Sequence, residues 1–262
     1  MIMPWENFFV PNQELYQEFQ IHYYTEDKNP LQSIYLTLPK EEKNVPLVIF
    51  FHGGGMVSDA RETPRGLFNG KYAVAEPRYR LSSPGKSALD PLEDAVRVIA
   101  WCFKHAKEFS IDPSKIFVGG MSAGAYLAAI TVMDPERLAS CGICNRDIAG
   151  LCLISGQLTT HFQIKSNLGH TEHAYQPRFD ELAPLCHLSA DLPPVFLLTG
   201  ESGVDMPARP EENAFAAASL RSMGHPFVQN YHLSGFDHGG ALEGCDYLLL
   251  KFIAKVLQQK QS

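Results

Sequence analysis

A serine flanked by two glycines carries the strongest chemical signal in the sequence. Ser122 is the centre of a G-x-S-x-G pattern at residues 120–124, which follows an apolar run and precedes small and apolar residues. On a sharp strand-to-helix turn the serine hydroxyl is exposed, and the flanking glycines avoid a collision between strand and helix. The first N–H groups of the helix would face an anion formed beside the serine. The pattern predicts a nucleophile elbow with Ser122 as the nucleophile.

A run of three glycines ends another apolar segment, residues 45–51. Without side chains, the backbone N–H groups of this loop can approach a ligand closely. We expect Gly53 and Gly54 to donate to an oxyanion, together with the N–H of Ala123. A flexible loop without chemistry is the alternative. His52, just before the glycines, is expected to organise the loop by hydrogen bonding rather than to act as a base.

A base and an acid can be sought at the ends of the later strands. His238 follows the last predicted strand inside a glycine-rich loop, residues 235–240, and it is the histidine we select as the general base. Three carboxylates follow the strand that ends at Gly200, and the spacing alone does not decide among them. They are Glu201, Asp205 and Glu211.

The elements that must position these residues alternate between strand and helix. This alternation predicts a mostly parallel α/β sheet with helices on both faces, whose active groups collect at the carboxyl ends of the strands. Besides the elbow, we predict strands at residues 45–51, 72–77, 116–118, 149–155, 193–200 and 229–233, and helices at residues 90–109, 210–223 and 244–258. Residues 111–115 are expected to form the turn before the elbow strand.

Two regions fall outside this alternation. Residues 20–24 and 33–38, separated by a turn at 26–30, predict an antiparallel hairpin at a sheet edge. Residues 157–192 lack strong periodicity and are rich in histidine and aromatic residues, which is typical of a lid or a substrate wall. We interpret residues 1–262 as one domain that contains this insertion.

Composition excludes several classes of protein. The chain has 262 residues, 45% hydrophobic and 19% charged, and a formal charge of −7, so no basic stripe for nucleic acid is expected. No apolar run approaches the roughly 20 residues that cross a bilayer. The first residues lack the order of a signal peptide, which favours a cytoplasmic location. We expect no nucleic-acid partner, no membrane and no cofactor, and leave a homo-oligomer open.

Other candidate groups favour structural roles. Cys141 and Cys144 form a C-x-x-C without the second pair of ligands that zinc needs, so we expect semi-buried thiols near a helix end and no metal. The six cysteines are expected to be scattered core thiols. Arg78 and Arg80 are expected to hold their loop by ion pairs, and Asp94 to be a solvated or loop-bridging carboxylate.

The combination of H-G-G-G at residues 52–55, G-x-S-x-G at 120–124 and a glycine-flanked His238 resembles the hormone-sensitive-lipase-like esterases, and within them the bacterial carbohydrate (acetyl) esterases. The resemblance runs from about residue 45 to 258 and implies the α/β-hydrolase fold. It implies Ser122 as nucleophile, His238 as general base and Asp205 as the acid that orients it. Asp205 lies later than the usual family spacing, so Glu201 stays as second choice and Glu211 as third.

The resemblance implies a serine carboxylesterase that hydrolyses short-chain, acetyl-type esters, with carbohydrate esters among its small-molecule substrates. An amidase, a formamidase or a peptidase could use the same triad. A ligand-binding module on a hydrolase fold is the non-enzymatic alternative.

Overall fold

The computed structural model describes residues 12–24, 26, 29–83 and 86–260. Its core is an eight-stranded sheet in the order β1-β2-β4-β3-β5-β6-β7-β8. The strands are β1 Tyr16–His22, β2 Ser33–Pro39, β3 Val45–Phe51, β4 Ala73–Pro77, β5 Ile111–Met121, β6 Gly150–Ile154, β7 Val195–Thr199 and β8 Val228–His232. The pairs that join β1 to β2 and β2 to β4 are antiparallel, and the other pairs are parallel. The predicted mostly parallel sheet with an antiparallel hairpin at its edge is confirmed.

Seven α-helices connect and flank these strands in the described part of the chain. They are α1 Asp90–His105, α2 Ala123–Met133, α3 Pro135–Ala139, α4 Phe162–Asn167, α5 Arg209–Ser222, α6 His238–Glu243 and α7 Asp246–Gln259. Short 3₁₀ turns occur at Arg65–Leu67, Asn145–Asp147 and Pro184–His187.

Alternating side chains of the central strands divide the core into two layers. In β3, Leu47 and Ile49 pack into the layer that holds α1, α2 and α5, whereas Val48 and Phe50 pack into the layer that holds α7. Successive side chains of a strand point to opposite faces, so a strand buried on both sides is apolar throughout. The continuous apolar runs of the sequence are therefore explained by helices on both faces of the sheet.

Three element boundaries differ from the sequence-based predictions by four residues or more. Residues 111–115, predicted as a turn, form the start of β5, with a register shift where β3 passes from Val45 to Leu47. Pro113 lies in this irregular stretch and has no N–H to donate to a ladder. Strand β1 begins at Tyr16 instead of residue 20, and α1 ends at His105 instead of residue 109.

The insertion at residues 157–192 contains α4 and one 3₁₀ turn, and its inner side chains pack into the core. Leu158, Ile164 and Leu182 are buried, and the Tyr126 hydroxyl of α2 donates to the Leu182 carbonyl at 2.7 Å. The segment therefore packs against α2.

The cysteines do not all lie in the core. Cys102, Cys152 and Cys245 are buried, as expected, but Cys186 is exposed. Cys141 and Cys144 are exposed as well, which corrects the expectation of semi-buried thiols. The reason is that both follow α3 in a surface turn.

Across the described residues, no helix is both long and apolar enough to span a membrane. The residues that carried the signal-peptide argument lie outside the described part of the chain.

Candidate active site

Ser122 lies between β5 and α2 with φ 55° and ψ −115°, a conformation that a non-glycine residue rarely adopts. A Cβ on Gly120 would overlap the backbone of Gly124, and a Cβ on Gly124 would overlap the Phe51 carbonyl of β3. The two glycines are thus required by the close crossing of strand and helix, and the predicted strand–turn–helix geometry is confirmed.

His238 lies within hydrogen-bond distance of Ser122. Its Nε2 is 2.8 Å from Ser122 Oγ, and its Nδ1 is 2.6 Å from Asp205 Oδ1. An ionised carboxylate only accepts, so Nδ1 carries the proton and Nε2 presents its lone pair to the serine hydroxyl. The glycine-rich loop predicted around this histidine is instead the first turn of α6, because the Asp237 side chain accepts from Gly240 N and caps the helix.

Asp205 lies in the loop between β7 and α5, and its side chain is fully buried. Burial alone would raise the pKa of Asp205, but hydrogen bonds from His238, Ser155 and the Gly200 N–H outweigh it and lower the pKa to about 2. Asp205 is therefore ionised at neutral pH. The Met206 N–H donates to the same carboxylate at 2.6 Å.

The side chains of Glu201 and Glu211, the two alternative acids, hydrogen-bond to other groups than His238. Glu201 accepts hydrogen bonds from the Gly235 N–H and the Ser234 hydroxyl, and Glu211 accepts from the Ser202 hydroxyl. The structure thus brings Ser122, His238 and Asp205 together, and places Glu201 and Glu211 on loop contacts.

A residue that the sequence did not single out, Ser155, contacts Asp205 directly. Its Oγ lies 2.5 Å from Asp205 Oδ2, and both side chains are buried. Ser155 follows β6 and has φ 45°, so it is also a non-glycine residue in the left-handed region. The signal in the sequence was a serine–glycine pair at the end of an apolar strand, but no motif marks it.

The carbonyl oxygens of His52 and Gly53, in the glycine loop after β3, accept hydrogen bonds from the side chains of Tyr79 and His52. The Tyr79 hydroxyl lies 2.9 Å from the His52 carbonyl oxygen and 3.1 Å from that of Gly53, and His52 Nδ1 donates to the Gly53 carbonyl at 2.9 Å. In a trans peptide the N–H points opposite to the C=O. The N–H groups of Gly53 and Gly54 therefore point away from Tyr79.

His52 itself has the loop-organising role expected of it. Its ring stacks on Tyr79 with centroids 4.3 Å apart, and burial lowers the pKa of His52 to about 4. Its Nδ1 donates to the Gly53 carbonyl and its Nε2 lies 3.7 Å from Asp59 Oδ1. Within the described residues no hydrogen bond joins this ring to Ser122, whose partner is His238.

The loop that carries Tyr79 is fixed on both sides by ion pairs. Arg78 Nε lies 2.9 Å from Asp59 Oδ2, and Arg80 Nε lies 2.9 Å from Asp94 Oδ2. Asp94 is fully buried and also accepts from Gln32 at 2.9 Å. Both arginines hold the loop as expected, and Asp94 is the loop-bridging carboxylate of the two alternatives, not the solvated one.

Gly53 already contacts an anionic group. Its N–H donates to Glu62 Oε2 at 3.2 Å, and a Cβ built on Gly53 would lie 3.3 Å from Ser122 Cβ. The Glu62 carboxylate therefore lies beside the nucleophile. Glu62 was missed because it sits in an irregular segment between β3 and β4.

Aromatic side chains of the insertion lie next to the glycine loop. A Cβ on Gly55 would be 3.7 Å from Phe162 Cζ, and the Phe162 ring stacks on His161 with centroids 4.3 Å apart. The stretch before Phe162 is tied to α5, since Glu212 accepts from the N–H groups of Leu158 and Thr159. Phe162 thus has a firmly held backbone beside the site.

The described residues contain no group of three or more histidine, cysteine or acidic side chains placed to hold a metal ion. His170 Nδ1 accepts from Arg178, and His173 Nδ1 accepts from the Tyr175 N–H. What the site offers is a serine hydroxyl, an imidazole, a buried carboxylate and the peptide N–H groups of Gly53 and Gly54, of which that of Gly53 donates to Glu62.

This sheet, with a serine at the elbow between β5 and α2, defines the α/β-hydrolase fold, as predicted. A family model described as BD-FAE matches residues 33–140. The resemblance to esterases expected from the motifs is confirmed by this match and by the named relatives.

Two relatives come from Mycobacterium tuberculosis. The chain is 35% identical to the carboxylic ester hydrolase LipN over 91 residues, which is 32% of this chain and 24% of LipN. It is 28% identical to the esterase LipQ over 159 residues, which is 55% of this chain and 37% of LipQ. The chain therefore spans well under half the length of the curated relatives it matches.

Solved structures of similar fold align over nearly the whole chain. Thermogutta terrifontis esterase 2, phosphoramylated by tabun, aligns with a TM-score of 0.73 and 22% identity over 91% of this chain and 94% of its own. A truncated carbohydrate esterase from gut microbiota aligns with a TM-score of 0.77 and 15% identity over 96% and 99%. At these identities the alignments establish the fold.

Proposed function

We propose that the protein is a serine carboxylesterase that hydrolyses short-chain, acetyl-type esters, including acetyl esters of carbohydrates. The observation that carries the proposal is the continuous hydrogen-bonded series from Ser122 through His238 to Asp205. The named relatives, carboxylic ester hydrolases and esterases, support the reaction class. Two further similar structures are of the Thermogutta terrifontis esterase with butyrate or propionate bound. Together with the carbohydrate esterase, they support the substrate class.

In the proposed mechanism, Ser122 Oγ adds to the ester carbonyl carbon while His238 Nε2 takes the hydroxyl proton. The C–O bond to the alcohol then breaks, and the same proton passes from Nε2 to the leaving alcohol oxygen. Water repeats both steps on the acyl-serine, so that a carboxylic acid leaves and Ser122 regains its proton. Asp205 keeps Nδ1 protonated and stabilises the imidazolium that forms.

The oxyanion of the tetrahedral intermediate accepts hydrogen bonds from Gly53, Gly54 and Ala123 in this proposal. The Gly53 N–H must give up its hydrogen bond to Glu62 before it can donate to the substrate oxygen. Ala123 is the first residue of α2, so its N–H belongs to the helix terminus that favours an anion. The acyl group lies beside the glycine loop and next to Phe162, whose Cζ would be 3.7 Å from a Cβ on Gly55. An aromatic ring this near the loop supports a preference for small acyl groups.

The test is a series of p-nitrophenyl acetate, butyrate and hexanoate together with acetylated sugars, run on the wild-type protein and on Ser122→Ala. The variant should lose at least about a thousandfold in turnover, because the nucleophile is gone. Ser140→Ala is the matched control, since this exposed hydroxyl donates to the Arg137 carbonyl at the end of α3.

Three outcomes would count against the proposal. Undiminished turnover in pure Ser122→Ala protein would reject the role of Ser122. Activity on p-nitrophenyl acetate without any on acetylated sugars would reject the carbohydrate part. Equal rates on a matched ester and amide would replace the esterase by an amidase.

A further inference from the structure

We propose that Ser155 is a positioning residue of the active site, which fixes the Asp205 carboxylate and through it the imidazole of His238. The inference rests on the proposed function, since it assigns a role within the same site. The hydroxyl of Ser155 does not reach Ser122 or His238 by any hydrogen bond in the described residues, so its effect must pass through Asp205.

Ser155 lies at the strand end between the nucleophile and the acid. The Ser122 N–H donates to the carbonyl of Ile154, the residue before Ser155, at 2.8 Å. The Ser155 N–H in turn donates to the carbonyl of Leu198 in β7, also at 2.8 Å. The turn at Ser155 is therefore bonded on one side to the backbone of the nucleophile and on the other to the strand that leads to Asp205.

The Ser155 hydroxyl completes the set of donors around the carboxylate. Asp205 Oδ1 accepts from His238 Nδ1 and the Met206 N–H, while Oδ2 accepts from Ser155 Oγ and the Gly200 N–H. With two donors on each oxygen, the plane of the carboxylate is fixed. Removal of Ser155 Oγ leaves Oδ2 with the Gly200 N–H as its one donor, so the carboxylate can rotate more freely and Oδ1 is held less firmly toward His238.

The backbone of Ser155 adds an independent observation. At φ 45° a serine is strained and a glycine would not be, yet a side chain is present. The next residue, Gly156, packs so closely on α2 that an added Cβ would lie 2.9 Å from Ala125 Cβ. The turn is thus packed against α2. The hydrogen bond from the Ser155 hydroxyl to Asp205 offsets the backbone strain of Ser155.

Three variants separate positioning from stability. Ser155→Ala removes the hydroxyl and keeps the strain, Ser155→Gly removes both, and Ser155→Thr keeps a hydroxyl but adds a branched carbon at a positive φ. Ser33→Ala is the matched control, because Ser33 is a buried serine on β2 whose hydroxyl donates to the Pro30 carbonyl. For each, kcat and KM on p-nitrophenyl acetate and the thermal midpoint are measured.

If Ser155 is a positioning residue, kcat should depend on whether the side chain at position 155 carries a hydroxyl. Ser155→Ala and Ser155→Gly should both lose about tenfold in kcat with little change in KM, the effect of one charge-assisted hydrogen bond. Ser155→Thr should retain more kcat than either, although it is the least stable of the three. Ser33→Ala should keep the wild-type kcat.

A merely structural role predicts the opposite order, in which activity follows the thermal midpoint and Ser155→Gly is the most active variant. That order, or wild-type kcat in both Ser155→Ala and Ser155→Gly, would overturn the proposal. If Ser155→Thr fails to fold, the comparison of Ala, Gly and wild type still decides.

Failure of the proposed function would look different. If the wild-type protein turns over no ester at all, labelling of Ser122 by a fluorophosphonate probe replaces kcat as the measurement. Slower labelling of Ser155→Ala and Ser155→Gly than of wild type supports the positioning role, and equal labelling rejects it.

Discussion

The amide nitrogen of Gly53 and the Oε2 atom of Glu62 lie 3.2 Å apart, so one of the N–H groups proposed to bind the oxyanion already donates to a carboxylate. A substrate carbonyl that enters the site must displace this carboxylate oxygen from the Gly53 N–H. The negative charge that then develops on the substrate oxygen forms beside the negative charge of Glu62. In the proposed mechanism, Glu62 therefore opposes the reaction that the rest of the site favours.

Glu62→Gln tests this opposition. The amide can still accept from the Gly53 N–H but carries no charge, so kcat/KM for p-nitrophenyl acetate should rise about fivefold, the equivalent of about 1 kcal/mol for a partly screened charge. Glu41→Gln, an exposed glutamate between β2 and β3, makes the same change in net charge and should leave kcat/KM as it is. A tenfold loss in Glu62→Gln would mean that the carboxylate serves catalysis.

Phe162→Ala tests where the acyl group lies. With the ring removed from beside Gly55, longer chains should fit, and the rate on p-nitrophenyl hexanoate relative to the acetate should rise about tenfold. Phe179→Ala is the control, since Phe179 belongs to the same insertion but is exposed. An unchanged chain-length profile in a folded Phe162→Ala protein would place the acyl group elsewhere.

Asp205→Asn should abolish most activity and alter the stability at low pH. An amide in place of the carboxylate favours the wrong tautomer of His238, so kcat should fall on the order of 10² to 10⁴-fold.

The stability effect follows from the pKa of Asp205, which falls from its ordinary 3.8 to about 2 in the folded protein. The stabilisation from the ionised carboxylate is complete above about pH 5 and is lost as the pH falls through about 2. The gap between the urea midpoints of wild type and Asp205→Asn should therefore shrink between pH 5 and 2. A gap that stays constant over this range would contradict the depressed pKa.

The parts of the site that were predictable from sequence are those fixed by local geometry. Gly120 and Gly124 are needed wherever a strand and a helix cross this closely, so they mark Ser122 without knowledge of the rest of the fold. His238 and Asp205 were found because each lies in the segment that follows a predicted strand. The choice of Asp205 over Glu201 depended on a family resemblance, since local spacing did not separate them.

The parts that could not be predicted depend on contacts between distant segments. Ser155 contacts a residue fifty positions later, and Glu62 contacts the glycine loop from an irregular segment. Neither belongs to a periodic pattern or a motif. The first turn of α6 was missed because its glycines suggest a loop, whereas the Asp237 cap makes it helical.

The helix behind the nucleophile has no exposed face, since all residues of α2 are buried. Beyond the first turn, which faces the site, the amide hydrogens of α2 can meet solvent only when the sheet and its covering helices separate. Their exchange should therefore report the free energy of global unfolding. The elbow then has no partly opened form of its own. Whatever mobility substrate entry requires must come from the surrounding loops, and the serine keeps its geometry for as long as the protein stays folded.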